Sequence, residues 1–89
     1  MNQNLNPKVI ICVSTYNGEK YIKNQIESLL KQDYKNTEIY VRDDGSKDNT
    51  LEILKQYEKD QKIKLIVGKN VGVVRSFYEC LEKAYSNGD

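Results

Sequence analysis

The chain has 89 residues, of which 38% are hydrophobic and 30% charged, and its net charge is +1 at neutral pH. That length holds at most one small domain. The balance excludes a disordered tail, a basic nucleic-acid arm and a strongly basic membrane patch. Histidine is absent, which excludes a Ser-His-Asp triad, a Cys-His pair and any histidine-containing zinc site.

Residues 1–7 read as a polar leader. The first apolar run, Val9-Ile10-Ile11-Cys12-Val13, reads as a strand covered on both faces. It is the longest wholly apolar run and falls far below the ~20 residues that span a membrane. With no signal peptide before it, the expectation is a cytoplasmic protein. Asn17 and Gly18 form a turn. Ile22, Ile26, Leu29 and Leu30 then repeat on one face of a helix, which Asp33-Tyr34-Lys35-Asn36 closes.

A second strand follows, with Ile39-Tyr40-Val41 opened by Thr37-Glu38. Leu51, Leu54 and Tyr57 make the stripe of a second helix, with Asp48 or Ser46 as its N-cap. Ile63-Lys64-Leu65-Ile66-Val67 reads as the third strand. The last stripe is Val74, Phe77, Leu81 and Ala84 or Tyr85, and Ser86-Asn87-Gly88 ends it with a glycine stop. The order β-α-β-α-β-α implies parallel strands and right-handed crossovers. Cys12 and Cys80 are far apart in sequence and form no CxxC pair. They read as two buried free thiols in a reducing compartment.

Ligands of an open parallel sheet bind beyond the carboxyl ends of its strands. That rim collects Ser14-Thr15-Tyr16-Asn17-Gly18, then Asp43-Asp44-Gly45-Ser46, then Gly68-Lys69-Asn70-Val71-Gly72. The Asp43 segment also suits a plain turn and helix cap. Two consecutive carboxylates at a strand end repel each other, however, so they call for a partner such as a base N–H, a sugar hydroxyl or a metal. Tyr16 suits packing equally well. Gly68 and Gly72 complete neither a GxGxxG nor a P-loop. Asp44, Ser46 and Asp48 match the start of a calcium loop. The sixth position is Asn49 and the twelfth Lys55, so the match fails where it matters. Arg75 falls in the first turn of the third helix, where its charge opposes the helix dipole. A guanidinium on this rim suits a carbonyl or a diphosphate.

Taken together, Val13-Ser14-Thr15-Tyr16-Asn17, Asp43-Asp44-Gly45-Ser46-Lys47-Asp48-Asn49-Thr50 and Asn70-Val71-Gly72 resemble the opening of a family 2 glycosyltransferase. Tyr21-Ile22 and Ser28-Leu29-Leu30-Lys31-Gln32 resemble that family's first helix. The resemblance covers the chain from Lys8 onward. It implies a three-layer α/β fold with a Rossmann-like parallel sheet, the N-terminal half of a GT-A nucleotide-diphospho-sugar transferase. It further implies strand order 3-2-1 and a UDP-, dTDP- or GDP-sugar as the partner. By position, Ser14 and Tyr16 flank the base, with Thr15 between them in the same nucleotide-binding loop. Asp44 accepts the base imide N–H, Asp43 supports the loop, and Arg75 approaches the base or phosphates. The stretch Asn70-Val71-Gly72-Val73-Val74-Arg75-Ser76-Phe77 is similar to members that extend bacterial surface polysaccharides, such as rhamnosyltransferase-like enzymes.

In that family a metal-binding DxD motif lies on the next strand, and a general base lies downstream. No DxD occurs in this sequence. The expectation is therefore that residues 8–89 are a partial nucleotide-sugar-binding domain cut before the DxD strand. It would hold no catalytic base or metal ligand of its own. A divalent Mg or Mn ion and inverting transfer would belong to the full-length protein, along with a peripheral seat at the inner membrane face. A first strand left at the sheet edge leads to an expected homo-oligomer. The alternative is a non-catalytic small α/β module that binds a nucleotide or another protein.

Overall fold

The computed structural model describes residues 8–32 and 36–88. The leader 1–7 and residues 33–35 of the helix-closing segment Asp33-Tyr34-Lys35-Asn36 lie outside the described residues. The elements run β1 (Val9–Thr15), α1 (Ile22–Leu30), β2 (Thr37–Asp44), α2 (Thr50–Lys59), β3 (Lys64–Gly68) and α3 (Val73–Gly88). All strands are parallel in the order β1-β2-β3, with β2 in the middle.

The period of two along a strand sorts side chains into two layers. Val13, Ile39 and Val41 join Ile22, Ile26 and Leu54 in one cluster under α1 and α2. Tyr40 joins Cys80 and Ala84 in a second cluster under α3, flanked by Ile10, Cys12 and Ile66. The sheet is thus the middle of three layers. Each fully buried aliphatic side chain contributes about 1.5–3 kcal/mol of burial.

β1 is an edge strand, so most of its residues are only half-buried. Both β1 and β2 run further than the apolar runs suggest. Ser14 and Thr15 belong to β1, and Asp43 and Asp44 to β2. In the opposite sense, Ile63 is buried in the core but precedes β3.

Four expectations are corrected. The buried face of α3 is Ser76, Cys80 and Ala84, each at most 1% exposed, while Val74, Phe77 and Tyr85 face outward. The sheet presents Tyr40 and Arg42 to this helix, and small residues at i, i+4 and i+8 let it sit close. The helix also runs through Gly88 rather than stopping before it. The N-cap position of α2 is Asn49, whose side chain makes no capping bond. Asp48 does that work from one residue earlier, accepting the Thr50 N–H at 2.9 Å. Of the two free thiols, only Cys80 is fully buried. Burial, with nearby Cys12 adding to it, pushes Cys80 up to about 12.

Candidate nucleoside cleft

The adjacent carboxylates Asp43 and Asp44 do not face each other. Strand alternation puts Asp43 on the α2 side and Asp44 on the α3 side. Asp43 is 1% exposed and accepts the Ser46 N–H at 3.0 Å and the Ser46 hydroxyl at 2.6 Å. It therefore folds the β2–α2 loop onto its own strand. Asp44 is 2% exposed and holds the β3–α3 loop instead. Its Oδ1 accepts the Val71 N–H at 3.0 Å and its Oδ2 the Gly72 N–H at 3.1 Å. The Asp44 carbonyl accepts the Asn70 side-chain amide at 3.1 Å. The repulsion expected from the sequence is thus relieved within the chain.

Burial pushes the Asp44 carboxyl up. The Val71 and Gly72 amides and the Arg42 guanidinium outweigh it, and the carboxyl sits below its ordinary value. Asp44 is therefore an anion and a pure acceptor at neutral pH. Of its roughly four lone-pair sites three are used, and the open one is on Oδ2.

The β1–α1 and β2–α2 loops are zipped together. Asn17 adopts a positive φ of 51°. Its N–H donates to Ser46 Oγ at 2.8 Å, and its side-chain oxygen accepts the Lys47 N–H at 2.8 Å. Gly18 N–H donates to Thr50 Oγ1 at 2.7 Å. The Glu19 N–H donates to Asp48 Oδ2 at 3.2 Å, and Glu19 Oε1 accepts the Asn49 N–H at 2.8 Å across the same seam. Gly45, at φ 77°, lies against the backbone of Asn70, so the three rim loops touch.

Ser14, Thr15, Tyr16 and Asp44 come together around a small cavity of about 150 Å³ that Asn70, Gly72 and Val73 complete. Enclosing ligand sites run to about 300–1,000 Å³, so these residues line part of a site. Tyr16 is 42% exposed and stands at the mouth. Thr15 is buried, and its hydroxyl finds no hydrogen-bond partner among the described residues. Asp43 supports the site from behind and does not line it. Arg75 lies in an adjoining groove of about 830 Å³ along α3, with Val74, Tyr78 and Tyr85, which shares Gly72 and Val73 with the cavity. Its guanidinium is solvated and pairs with Glu79 at 3.3 Å.

Two residues went unnoticed in the sequence. Arg42 is buried on β2 and pairs with Asp44 at 2.7 Å and Glu79 at 3.1 Å. Ser76 is fully buried on α3 and accepts bonds from Arg42 and from the Ser14 hydroxyl. The signal for Arg42 was there: a cation two residues before Asp44, hence on the same strand face, directly after the apolar run Ile39-Tyr40-Val41. Ser76 carried no signal of its own. Among the described residues no three His, Cys, Asp or Glu side chains converge to hold a metal ion.

The comparisons bear on the family and the fold. The model of glycosyl transferase family 2 matches residues 10–87. EpsE of Bacillus subtilis, which carries a provisional glycosyltransferase name, is 43% identical over 84 residues, 91% of this chain and 30% of its own length. The poly(ribitol-phosphate) beta-N-acetylglucosaminyltransferase TarS of Staphylococcus aureus is 43% identical over 60 residues, 65% of this chain and 10% of TarS. The structure of S. aureus TarS 1-349 in complex with UDP superposes with a TM-score of 0.70 at 34% identity, over 88% of this chain and 24% of that one. The mannosyltransferase PcManGT of Pyrobaculum calidifontis, solved with GDP-Man and Mn2+, shares the fold at a TM-score of 0.74 and 24% identity, over 91% of this chain and 25% of its own. The chain therefore spans less than a third of EpsE and of both solved relatives. With the family matched along nearly its whole length and the Rossmann-like sheet shared with two solved transferases, the chain belongs to glycosyl transferase family 2.

Proposed function

We propose that this chain is the nucleoside-binding part of a glycosyltransferase that moves a sugar from a UDP-, dTDP- or GDP-sugar to a glycan acceptor with inversion. The observation that carries this reading is the meeting of Ser14, Tyr16 and Asp44, from two different strand ends, around one cavity. Asp44, an anion with one open acceptor site on Oδ2, takes the base N–H. Tyr16 and Ser14 flank the ring, and Thr15 brings its unpartnered hydroxyl to the same strand end. Asp43 fixes the loop between them. Arg75, in the adjoining groove, turns from Glu79 toward the diphosphate.

In the transfer, the acceptor hydroxyl attacks the anomeric carbon, the bond to the diphosphate breaks, and a base takes the hydroxyl proton. A divalent cation supplies charge neutralisation on the leaving diphosphate when bound. The described residues do not fit it, because Asp43 and Asp44 are committed to Ser46, Arg42 and backbone amides. We assign the metal ligands and the base to residues outside this chain. The name of TarS, a poly(ribitol-phosphate) glycosyltransferase, favours a polymer acceptor and a role in bacterial surface polysaccharide synthesis. No helix among the described residues is long and apolar enough to cross a membrane. A cytoplasmic site of action, peripheral to the membrane, fits a soluble nucleotide-sugar donor.

The test is calorimetric titration with five nucleoside diphosphates. Uracil, thymine and guanine present a ring N–H to an acceptor, whereas cytosine and adenine present a ring acceptor there. UDP, dTDP or GDP should bind near millimolar, about −4 kcal/mol, and CDP and ADP at least tenfold more weakly. Equal binding of all five, or a marked tightening by Mn2+, would refute the assignment. We also propose that β1, which among the described residues has β2 as its only sheet neighbour, associates with a second copy beside the exposed Val73, Val74 and Tyr78 of α3. A monomer in light scattering at high concentration excludes this.

A further inference from the structure

Arg42 is 3% exposed, and its guanidinium bonds to the end of β2, to the β3–α3 loop and to α3. Nη1 donates to Asp44 Oδ1 at 2.7 Å and to Ser76 Oγ at 2.8 Å. Nη2 donates to the Lys69 carbonyl at 3.3 Å and pairs with Glu79 Oε1 at 3.1 Å. The Ser14 hydroxyl donates to the same Ser76 Oγ. One relay, Ser14 to Ser76 to Arg42 to Asp44, therefore links two residues that line the cavity from different strands. The chain also leaves room for it. A Cβ on Gly68, the last residue of β3, would lie 2.1 Å from Arg42 Nη2 and 2.7 Å from its Cζ.

A buried ion pair is a poor way to gain stability, since an apolar residue of similar size often does as well or better. Here a hydrogen-bonded buried serine and a strand-end glycine are arranged around one buried guanidinium, whose burial is unfavourable by itself. What the arrangement achieves is geometry. The planar fork satisfies several acceptors at fixed angles, which a lysine ammonium does not reproduce.

Building on the nucleoside reading above, we propose that Arg42 is a positioning residue for the cleft. Its guanidinium fixes Asp44 directly and Ser14 through Ser76, so that the acceptor from β2 and the hydroxyl from β1 meet the base in one arrangement. Arg42 itself touches no ligand. It sets how well Asp44 and Ser14 are presented, and with them the preference for a base carrying a ring N–H.

The experiment compares the full polypeptide carrying this chain with its R42M, R42K and S76A variants. UDP affinity, its pH dependence and the thermal midpoint are all measured. R42M should lose at least tenfold in UDP affinity. The acid limb of its binding profile should move to higher pH, because Asp44 has lost its cation. R42K should restore the position of the acid limb but only part of the affinity. S76A, with Arg42 and Asp44 intact, should lose severalfold in affinity with the acid limb unmoved. A purely structural role would lower the thermal midpoint and leave the UDP affinity of the folded R42M and S76A proteins unchanged. A folded R42M that binds within twofold of wild type with an unmoved acid limb overturns the proposal. If R42M does not fold, S76A binding within twofold of wild type overturns it. A wild type that binds no UDP, dTDP or GDP refutes the nucleoside reading and this proposal together. A wild type that binds beside an unaffected R42M refutes this proposal alone.

Discussion

Replacing Asp44 with asparagine is the sharpest perturbation of the site. The side chain is 2% exposed and accepts from Arg42 at 2.7 Å, Val71 at 3.0 Å and Gly72 at 3.1 Å. Asparagine has one acceptor oxygen. If that oxygen stays with Arg42 and Val71, its NH2 confronts the Gly72 N–H, donor against donor. Among the described residues the Arg42 cation then keeps only Glu79 as a carboxylate partner, with a side chain that is 36% exposed. Removing one partner of a buried pair costs about 3–5 kcal/mol, and the surviving Glu79 points to the lower end, about 3 kcal/mol. A domain of this size has a total stability of about 4–13 kcal/mol. The midpoint of thermal unfolding should fall by roughly 12–24 °C, at about 4–8 °C per kcal/mol. Urea unfolding followed by far-UV circular dichroism, repeated across pH, measures the gap between wild type and D44N. The folded-state value of Asp44 is depressed below its ordinary 3.8. Its contribution is therefore fully present above the unfolded value and is lost as pH falls through the folded one. The gap should be constant from neutral pH down to about pH 5, then close in stronger acid. A gap under about 1 kcal/mol at pH 7, the level of an ordinary neutral hydrogen bond, would show that the carboxylate charge is not what holds the loop. So would a gap that persists unchanged in acid.

Two further perturbations test the loops around the cleft. Thr50→Val keeps the shape but removes the acceptor of the buried Gly18 N–H. It should cost about 1–3 kcal/mol in the same urea assay and speed hydrogen exchange at the Gly18 amide more than at Ile26. Gly45→Ala puts a Cβ 2.9 Å from the Asn70 amide nitrogen at a φ of 77°. A loss of at least about 1 kcal/mol is expected, together with weaker UDP binding, because the displaced Asn70 lines the cavity.

Much of this protein was legible in the one-dimensional pattern. Short β-branched runs alternating with helical stripes fix a parallel α/β order, because each element's period states which neighbour it needs. The rim loops follow from that order alone, since parallel strands end on the same side. Ile22 and Ile26 were readable as core because a large aliphatic residue on a helical stripe has few other places to go. The face of α3 was misread for the opposite reason. Val74 and Phe77 are apolar, but the sheet beneath them is already filled by Tyr40 and Arg42, so the small residues Ser76, Cys80 and Ala84 take the inside.

The sequence determined that two carboxylates end the central strand beside a hydroxyl-rich loop and a glycine turn. Only the tertiary structure decided their division of labour. Strand alternation sends Asp43 back to Ser46 and Asp44 across to Val71, Gly72 and Arg42. Arg42 finds its other partners, Ser76 and Glu79, 34 and 37 positions further along the chain, a separation that no local periodicity encodes. Charge and hydrogen-bonding capacity are properties of single residues. Which of them are left over for a ligand depends on what the folded chain has already paired.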